Sequence, residues 1–501
     1  MLYESTRGSL NKKTGAQAVI RGIAEDRGLY VPEFIPALPL SISEMVGKSY
    51  REIAKVILSC YFDDFTEEEI DYCVNGAYDE KFDADDMVEL NKEGDAYFLE
   101  LYHGKTAAFK DMALSILPYL LTTAMKKEGI KEKVCILTAT SGDTGKAALE
   151  GFKDVDGTEI IVFFPEDGVS EVQKRQMISQ EGKNTHVFGI KGNFDDAQTG
   201  VKNIFDNRAF VGELKKQNVI LSSANSINIG RLVPQIAYYV YSYVKLLERG
   251  DIKDGDKINI AVPTGNFGNI LAAYMAKEMG LPINRLICCS NDNKVLTDFL
   301  RTGLYDIRPV TRDFKCTNSP SMDILISSNL ERLLYIASGK DAKRVSGWME
   351  MLSLLKLYTV MDSEMLMGAL KDFYAGFSTE DECLDTINKM WSENGYLMDT
   401  HTGVAYKVYE DYVKETGDKT PTVIASTASA YKFAEAVSNA IGLEKKDNGF
   451  EYVKALNEAT KVKIPYGLLD LDKKEILHKG IVEISEMEDA VKNSLANNQK
   501  I

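Results

Sequence analysis

Cysteine is scarce in this chain: seven in 501 residues, an odd number, with no CxxC pair and only Cys288 and Cys289 adjacent. That excludes a disulfide scaffold and reads as free thiols in a reducing compartment. Positive charge is also in deficit. Lys and Arg total 59 against 75 Asp and Glu, a net charge of −16. Such a chain does not coat nucleic acid or an anionic membrane, although it can gather positive charge locally around a small anion. Long apolar runs are missing. The uncharged stretch Met112–Met125, interrupted by Pro118, falls short of the ~18–20 residues of a membrane span. The opening residues MLYESTRGSLNKK hold no apolar core of a secretory signal. A cytoplasmic location is therefore expected. The four histidines, His103, His186, His401 and His478, are far apart and form no metal-ligand pattern, so no metal is expected. A lone histidine such as His103 or His401 reads as structural.

Familiar nucleotide and hydrolase signatures fail on spacing. Leu99 stands where a Walker A loop ending in Gly104-Lys105-Thr106 needs its first glycine, and Ala147 follows Lys146 where Ser or Thr would hold magnesium. Gly265-Asn266-Phe267-Gly268-Asn269 is not a dinucleotide fingerprint, and no serine lies in a G-x-S-x-G elbow.

What is present is ordinary globular material, 45% hydrophobic and 27% charged, enough for about three domains or sub-domains. Residues 1–92 read as short helices, including Ser49–Phe62 and a second helix capped by Thr66, and form an accessory domain without a chemical cluster. From residue 93 short apolar strands alternate with helices: Lys133–Thr140, Glu159–Phe164, Thr185–Ile190, Lys257–Pro263, Arg285–Ser290 and Thr422–Ser426. Nearly all-apolar strands joined through helices predict an α/β fold with parallel sheets covered on both faces. A catalytic core spans 93–460, with a smaller sub-domain at roughly 130–225. Residues 300–400 read as mostly helical, and 461–501 as a C-terminal helical tail.

Three strand-to-helix loops have the small or hydroxylated composition of anion sites: Ser141–Gly145, Gly265–Asn269 and Ser426–Ser429. Free backbone N–H groups and the helix dipole favour an anion there, and glycine permits close approach. One such loop is equally well a simple turn; three in one chain favour a site. Most lysines are solvated surface charges. Lys110, between Phe109 and Asp111 at the start of an apolar stretch, is different in the company of these loops. A lysine in a partly apolar pocket can form a Schiff base, and with a phosphate cradle this is the equipment that binds pyridoxal phosphate (PLP).

The segments YESTRG, RGLYVPE, HGKTAAFKDMAL, TATSGDTGKAA, NSINIGRLVPQ, VPTGNFGNILAAYMAK, SPSMDILISSNLERLLY, DTHTGVAY and STASAYKFAEAV occur in that order. Together they resemble the threonine synthase family of fold type II PLP enzymes. The resemblance implies two sub-domains of parallel sheet behind a mainly helical N-terminal domain. It implies that Lys110 holds PLP, that Gly265, Asn266, Phe267, Gly268 and Asn269 cradle its phosphate, and that Thr427 meets its pyridine nitrogen. Ser141, Asp143 and Thr144 would hold the substrate carboxylate. Asn225, Ser226, Asn228 and Arg231 would lie on the substrate side, with Arg231 toward its phosphate. The implied reaction turns O-phospho-L-homoserine and water into L-threonine and phosphate, in a monomer or homodimer. Two positions depart from the family pattern beside the site: Lys105 replaces a proline, and Ser429-Ala430 replaces His-Pro. The alternatives are another fold type II enzyme, such as a serine/threonine dehydratase or a β-replacement synthase, and a non-catalytic binder of phosphorylated ligands.

Overall fold

The computed structural model describes residues 1–361 and 364–497. Two short strands near the N-terminus, β1 (Tyr3–Ser5) and β2 (Tyr30–Pro32), pair antiparallel, an addition to the expected helices. The helices Tyr50–Tyr61 and Glu67–Ala77 begin at Ser49 and Thr66. Each hydroxyl accepts from the backbone N–H three residues on, and Glu52 and Glu69 return the bond.

The chain then builds two sheets by passing between them. It enters the larger with β3 (Glu89–Glu93) and β4 (Ala96–Glu100). It crosses to the smaller for β5 (Lys133–Ala139), β6 (Thr158–Pro165), β7 (Thr185–Ile190) and β8 (Val219–Ser222). It returns to the larger with β9 (Ile258–Pro263) and β10 (Ile283–Ser290). A separate hairpin-like pair, β11 (Leu304–Asp306) and β12 (Leu357–Thr359), follows, and then β13 (Phe373–Phe377) and β14 (Thr422–Ser426) complete the larger sheet. Finally β15 (Gly480–Val482) joins the smaller one.

The larger sheet runs β13-β10-β9-β14-β4-β3, parallel except for β3, which pairs antiparallel with β4. The smaller runs β15-β7-β6-β5-β8 and is parallel throughout. Every residue of β4, β6, β9 and β14 is buried, because helices cover both faces.

The expected strands are all present. The mostly helical reading of 300–400 misses β13, an edge strand of the main sheet. The C-terminal segment is a strand as well as a helix. β15 extends the smaller sheet, and Met487, Val491 and Leu495 of the helix Met487–Asn497 pack into that sheet's apolar cluster.

Candidate active site

Parallel strands end together, so the loops at their carboxyl edge are neighbours. In the order β9-β14-β4, three such loops fall side by side: Thr264–Phe267, Thr427–Ser429 and Leu101–Lys110. The last two are stitched by backbone hydrogen bonds. Leu101 N–H donates to Ser426 O (2.9 Å), Phe109 N–H to Thr427 O (2.8 Å) and Ser429 N–H to Ala107 O (3.1 Å). Lys110 and Thr427, 317 positions apart in sequence, are thereby held at one place in space.

The Lys110 side chain is 10% exposed. Its Nζ lies 3.3 Å from Ser321 Oγ and 3.4 Å from Asp143 Oδ2, and packs 5.3 Å from the centre of the Phe109 ring. Burial lowers its pKa, with the charges of Lys432 and Arg231 acting in the same direction and Asp143 opposing. Asp143 comes from the other sheet. It opens the helix Asp143–Phe152 after β5, and its Oδ1 accepts from Lys432 Nζ (2.7 Å) and Gln173 Nε2 (2.8 Å). Burial opposes its charge, but Lys432 and Lys110 outweigh burial and hold the carboxyl far below the usual range. Ser141 and Thr144 lie half-buried on the same loop.

The glycine loop follows β9 and leads into the helix Gly268–Glu278. A segment absent from the candidate set, 319–332, wraps it. Ser327 Oγ donates to Gly265 O (2.8 Å), and Asn329 gives Asn266 O both its backbone N–H and its Nδ2 (3.0 Å each). The approach is so close that a Cβ on Gly265 would lie 2.6 Å from Ser321 O. Ser321 thus touches the glycine loop with its backbone and Lys110 with its side chain. Its own N–H donates to His401 Nε2 (3.2 Å), and His401 Nδ1–H is fixed on Asp399 Oδ2 (2.7 Å). His401 is structural in that sense: it sets the position of Ser321.

On the β8 side, Arg231 is buried and donates from Nη1 to Ala224 O (2.9 Å). Burial pushes its pKa down to about 10. Ser226 Oγ accepts from Asn329 Nδ2 (3.4 Å), and Asn225 is half-buried nearby in sequence. The Asn228 side chain is already engaged: Oδ1 caps the N–H of Gly230 and Nδ2 donates to Val19 O. It shapes the loop. Of the two departures from the family pattern, Lys105 gives its charge to Glu150 (3.4 Å), and Ser429 Oγ accepts from Tyr431 N–H (3.3 Å) to cap the 3₁₀ turn Ala430–Phe433.

Among the residues here that escaped the sequence reading are Lys432, Ser321, Ser327 and Asn329, with the neighbouring Arg332, which binds the Asn329 side chain. Lys432 stands inside STASAYKFAEAV, where a lone lysine in an apolar run is the only signal. Ser321 and Arg332 stand inside SPSMDILISSNLERLLY, which carries no chemical pattern of its own.

A buried lysine among loops at the carboxyl edge of a parallel sheet, with a glycine cradle and a second sheet closing over it, defines a PLP-dependent enzyme of fold type II. A family model described as "Pyridoxal-phosphate dependent enzyme" matches residues 87–428, flanked by "Threonine synthase N terminus" at 2–78 and "Threonine synthase, C-terminal" at 402–481. The chain belongs to the threonine synthase family. The threonine synthase of Saccharomyces cerevisiae is 35% identical over 470 residues, covering 88% of this chain and 89% of the yeast protein. Threonine synthase-like 1 of Homo sapiens is 39% identical over 454 residues, covering 88% of this chain and 60% of the human protein. The chain spans about three-fifths of the length of the threonine synthase-like 1 relatives it matches. Among solved structures, the PLP-bound threonine synthase from Brucella melitensis is 36% identical with a TM-score of 0.86, and the yeast enzyme 31% identical with a TM-score of 0.87. Each match covers 99% of both chains.

The residues present fit PLP. Asn269 Nδ2, on the first turn of the helix Gly268–Glu278, is buried with no hydrogen-bond partner among the described residues, while its Oδ1 takes the hydroxyls of Tyr238 and Tyr239. Arg231 Nε is in the same condition. Both are donors waiting for an acceptor, as a cofactor or substrate phosphate provides.

Proposed function

We propose that this chain is a threonine synthase that converts O-phospho-L-homoserine and water into L-threonine and orthophosphate. The observation that carries this reading is the buried Lys110 nitrogen, bridged by Ser321 to the glycine loop and faced by Asp143. Lys110 would hold the cofactor, Gly265–Asn269 would receive its phosphate, and Thr427 would meet its ring nitrogen. Bound there, PLP supplies an electron sink for negative charge on the substrate carbon skeleton.

The chain's own groups account for the rest. Ser141, the backbone of the Asp143 loop and Thr144 receive the substrate carboxylate. Arg231, whose Nε has no partner and whose guanidinium has no carboxylate in hydrogen-bond contact among the described residues, suits the substrate phosphate. Lys110, at the reacting end of the site, would be suited to move protons at Cα and then Cβ of the substrate. Burial lowers the basicity of that nitrogen, which eases the return of a proton it has taken. Phosphate departs from Cγ, a proton enters there, and water adds at Cβ. Lys110, Lys432 and Arg231 against Asp143 leave the site positive inside an acidic chain, which favours an anionic substrate.

The test is release of phosphate and appearance of threonine from O-phospho-L-homoserine, with serine and threonine as competing substrates. Turnover of serine or threonine alone would make the chain a dehydratase. Full PLP occupancy without turnover of any of them would make it a binder. The Lys110→Ala protein is expected to lose the borohydride-stable cofactor link and its turnover together. Retention of the link would remove Lys110 from its role.

A further inference from the structure

One buried charge enters that scheme only as part of the site's net positive charge. Lys432 lies on the 3₁₀ turn Ala430–Phe433 that follows β14, its side chain wholly excluded from solvent. Its Nζ is 2.7 Å from Asp143 Oδ1 and donates to Thr106 O at 2.8 Å. Asp143 therefore faces two lysine nitrogens, and they are not equivalent. Oδ1 is committed to Lys432 and Gln173, both within 2.8 Å. Oδ2 is left with two longer contacts of 3.4 Å, to Lys110 Nζ and Ser321 Oγ.

One carboxylate offsets one ammonium ion. Two ammonium ions around it, with the buried guanidinium of Arg231 acting on the same centre, leave an excess of positive charge where water cannot screen it. The proton is shed most easily from the nitrogen with the weaker contact, which is Lys110. Asp111 accepts from Thr106 N–H (2.8 Å) and Thr106 Oγ1 (2.6 Å) and feels the charge of Lys432, while burial raises its pKa to about 6; it offsets part of that charge and still leaves three cations against two carboxylates.

We propose that Lys432 is a positioning residue that claims the charge of Asp143 and so leaves Lys110 as the neutral amine that the cofactor aldehyde requires. The inference rests on Lys110 being the cofactor lysine. In the step concerned, Lys110 Nζ donates its lone pair to the aldehyde carbon. The C=O bond becomes C=N, and the two amine hydrogens leave with the oxygen as water. An ammonium ion has no lone pair to give. Without Lys432, Asp143 is free to turn its charge onto Lys110 and hold the proton there.

The experiment mixes cofactor-stripped protein with PLP across a pH series. Attachment is trapped with borohydride and quantified on the Lys110 peptide by mass spectrometry, so that turnover is not the readout. In Lys432→Met the pH of half-maximal attachment rate is expected to rise by about one unit, which is about a tenfold slower attachment near neutrality. Lys432→Arg keeps the charge and is expected to keep the wild-type profile. The double variant Lys432→Met/Asp143→Asn is expected to move back toward it, because the trapping anion is gone. A folded Lys432→Met protein with the wild-type profile overturns the inference. If that variant does not fold, Asp143→Asn alone decides: its profile is expected to shift to lower pH, and an unmoved profile overturns the inference. Absence of label on Lys110 in the wild-type protein instead overturns the functional reading, and the inference with it.

Discussion

At the level of single residues, the site depends on polar groups taken out of water with incomplete pairing. Arg231 illustrates this. Burial lowers its pKa to about 10, so it still carries its charge at neutral pH, and its guanidinium keeps an unpaired Nε. An ammonium group in its place would keep the charge and lose the planar fork. Arg231→Lys is therefore expected to raise KM for O-phospho-L-homoserine about tenfold, about 1.4 kcal/mol of binding, with a smaller change in kcat. Steady-state kinetics check this, and an unchanged KM would move the substrate phosphate elsewhere. Arg231 was legible as a candidate through the resemblance of NSINIGRLVPQ to the family, with a guanidinium fork that suits a dianion. Lys432 was not, because nothing local distinguishes a lysine that will be buried against a carboxylate 289 positions away.

At the level of elements, charge pairs fasten loops to strand ends. His103 uses Nδ1 on Asp83 Oδ1 (2.9 Å) and Nε2 on Glu100 Oε2 (3.1 Å), and Tyr396 OH also donates to Glu100 (2.8 Å). The ligand atoms of Glu89, Glu100 and His103 lie within 4.8 Å of one another, yet both ring nitrogens of His103 are already engaged, which makes the group an ion pair at the end of β4. Burial works against an imidazolium there, but hydrogen bonds to Asp83 and Glu100 prevail and push its pKa up to about 9. A folded-state pKa above the unfolded value means stability that is complete below about pH 6.5 and is lost as pH rises through about 9. The size is on the order of 3 kcal/mol. Denaturant melts at pH 6.5 and 9.5 are expected to show this loss in the wild-type protein and much less of it in His103→Gln. Equal slopes in the two proteins would refute it. The glycine loop shows why elements were easier to read than contacts. Its place between β9 and a helix was plain from periodicity, whereas its wrapping by 319–332 depends on Ser327 and Asn329 meeting backbone carbonyls some sixty positions away.

At the level of the whole molecule, the N-terminal segment is tied to the core beside the segment that wraps the glycine loop. Arg7 donates from Nε and Nη2 to the two oxygens of Glu331 (2.9 and 2.8 Å), and Thr6 Oγ1 adds a third bond (2.6 Å). Next to Glu331, the fully buried Arg332 binds Tyr30 O (2.9 Å), the Asn329 side chain and Ile227 O. One pair of residues thus joins β2, the substrate-side loop and the wrapping segment. The segments YESTRG and SNLERLLY, far apart in the chain, meet here in space. Arg7→Met leaves Glu331 largely buried with the Thr6 hydroxyl but without its ion pair, and is expected to cost about 2 kcal/mol and to weaken PLP binding. Arg7→Lys is expected to recover only part of each. Denaturant unfolding and PLP titration check both, and full PLP affinity in Arg7→Met would show that the N-terminal segment does not govern the cradle. No helix among the described residues is long and apolar enough to cross a membrane.

The sequence by itself determined the alternation of apolar strands and helices and the three loops at strand ends, because periodicity and glycine are local properties of a chain, and Lys110 stood out only in the company of those loops and of the family resemblance. Only the tertiary structure decided which of these meet. The order β9-β14-β4 sets two of the loops beside Lys110, and the second sheet delivers Asp143 from across the gap. Lys432, Ser321 and Arg332 acquire their roles from burial and from partners far along the chain. Electrostatics in a dry interior depends on distance in space, which no window of neighbouring residues contains.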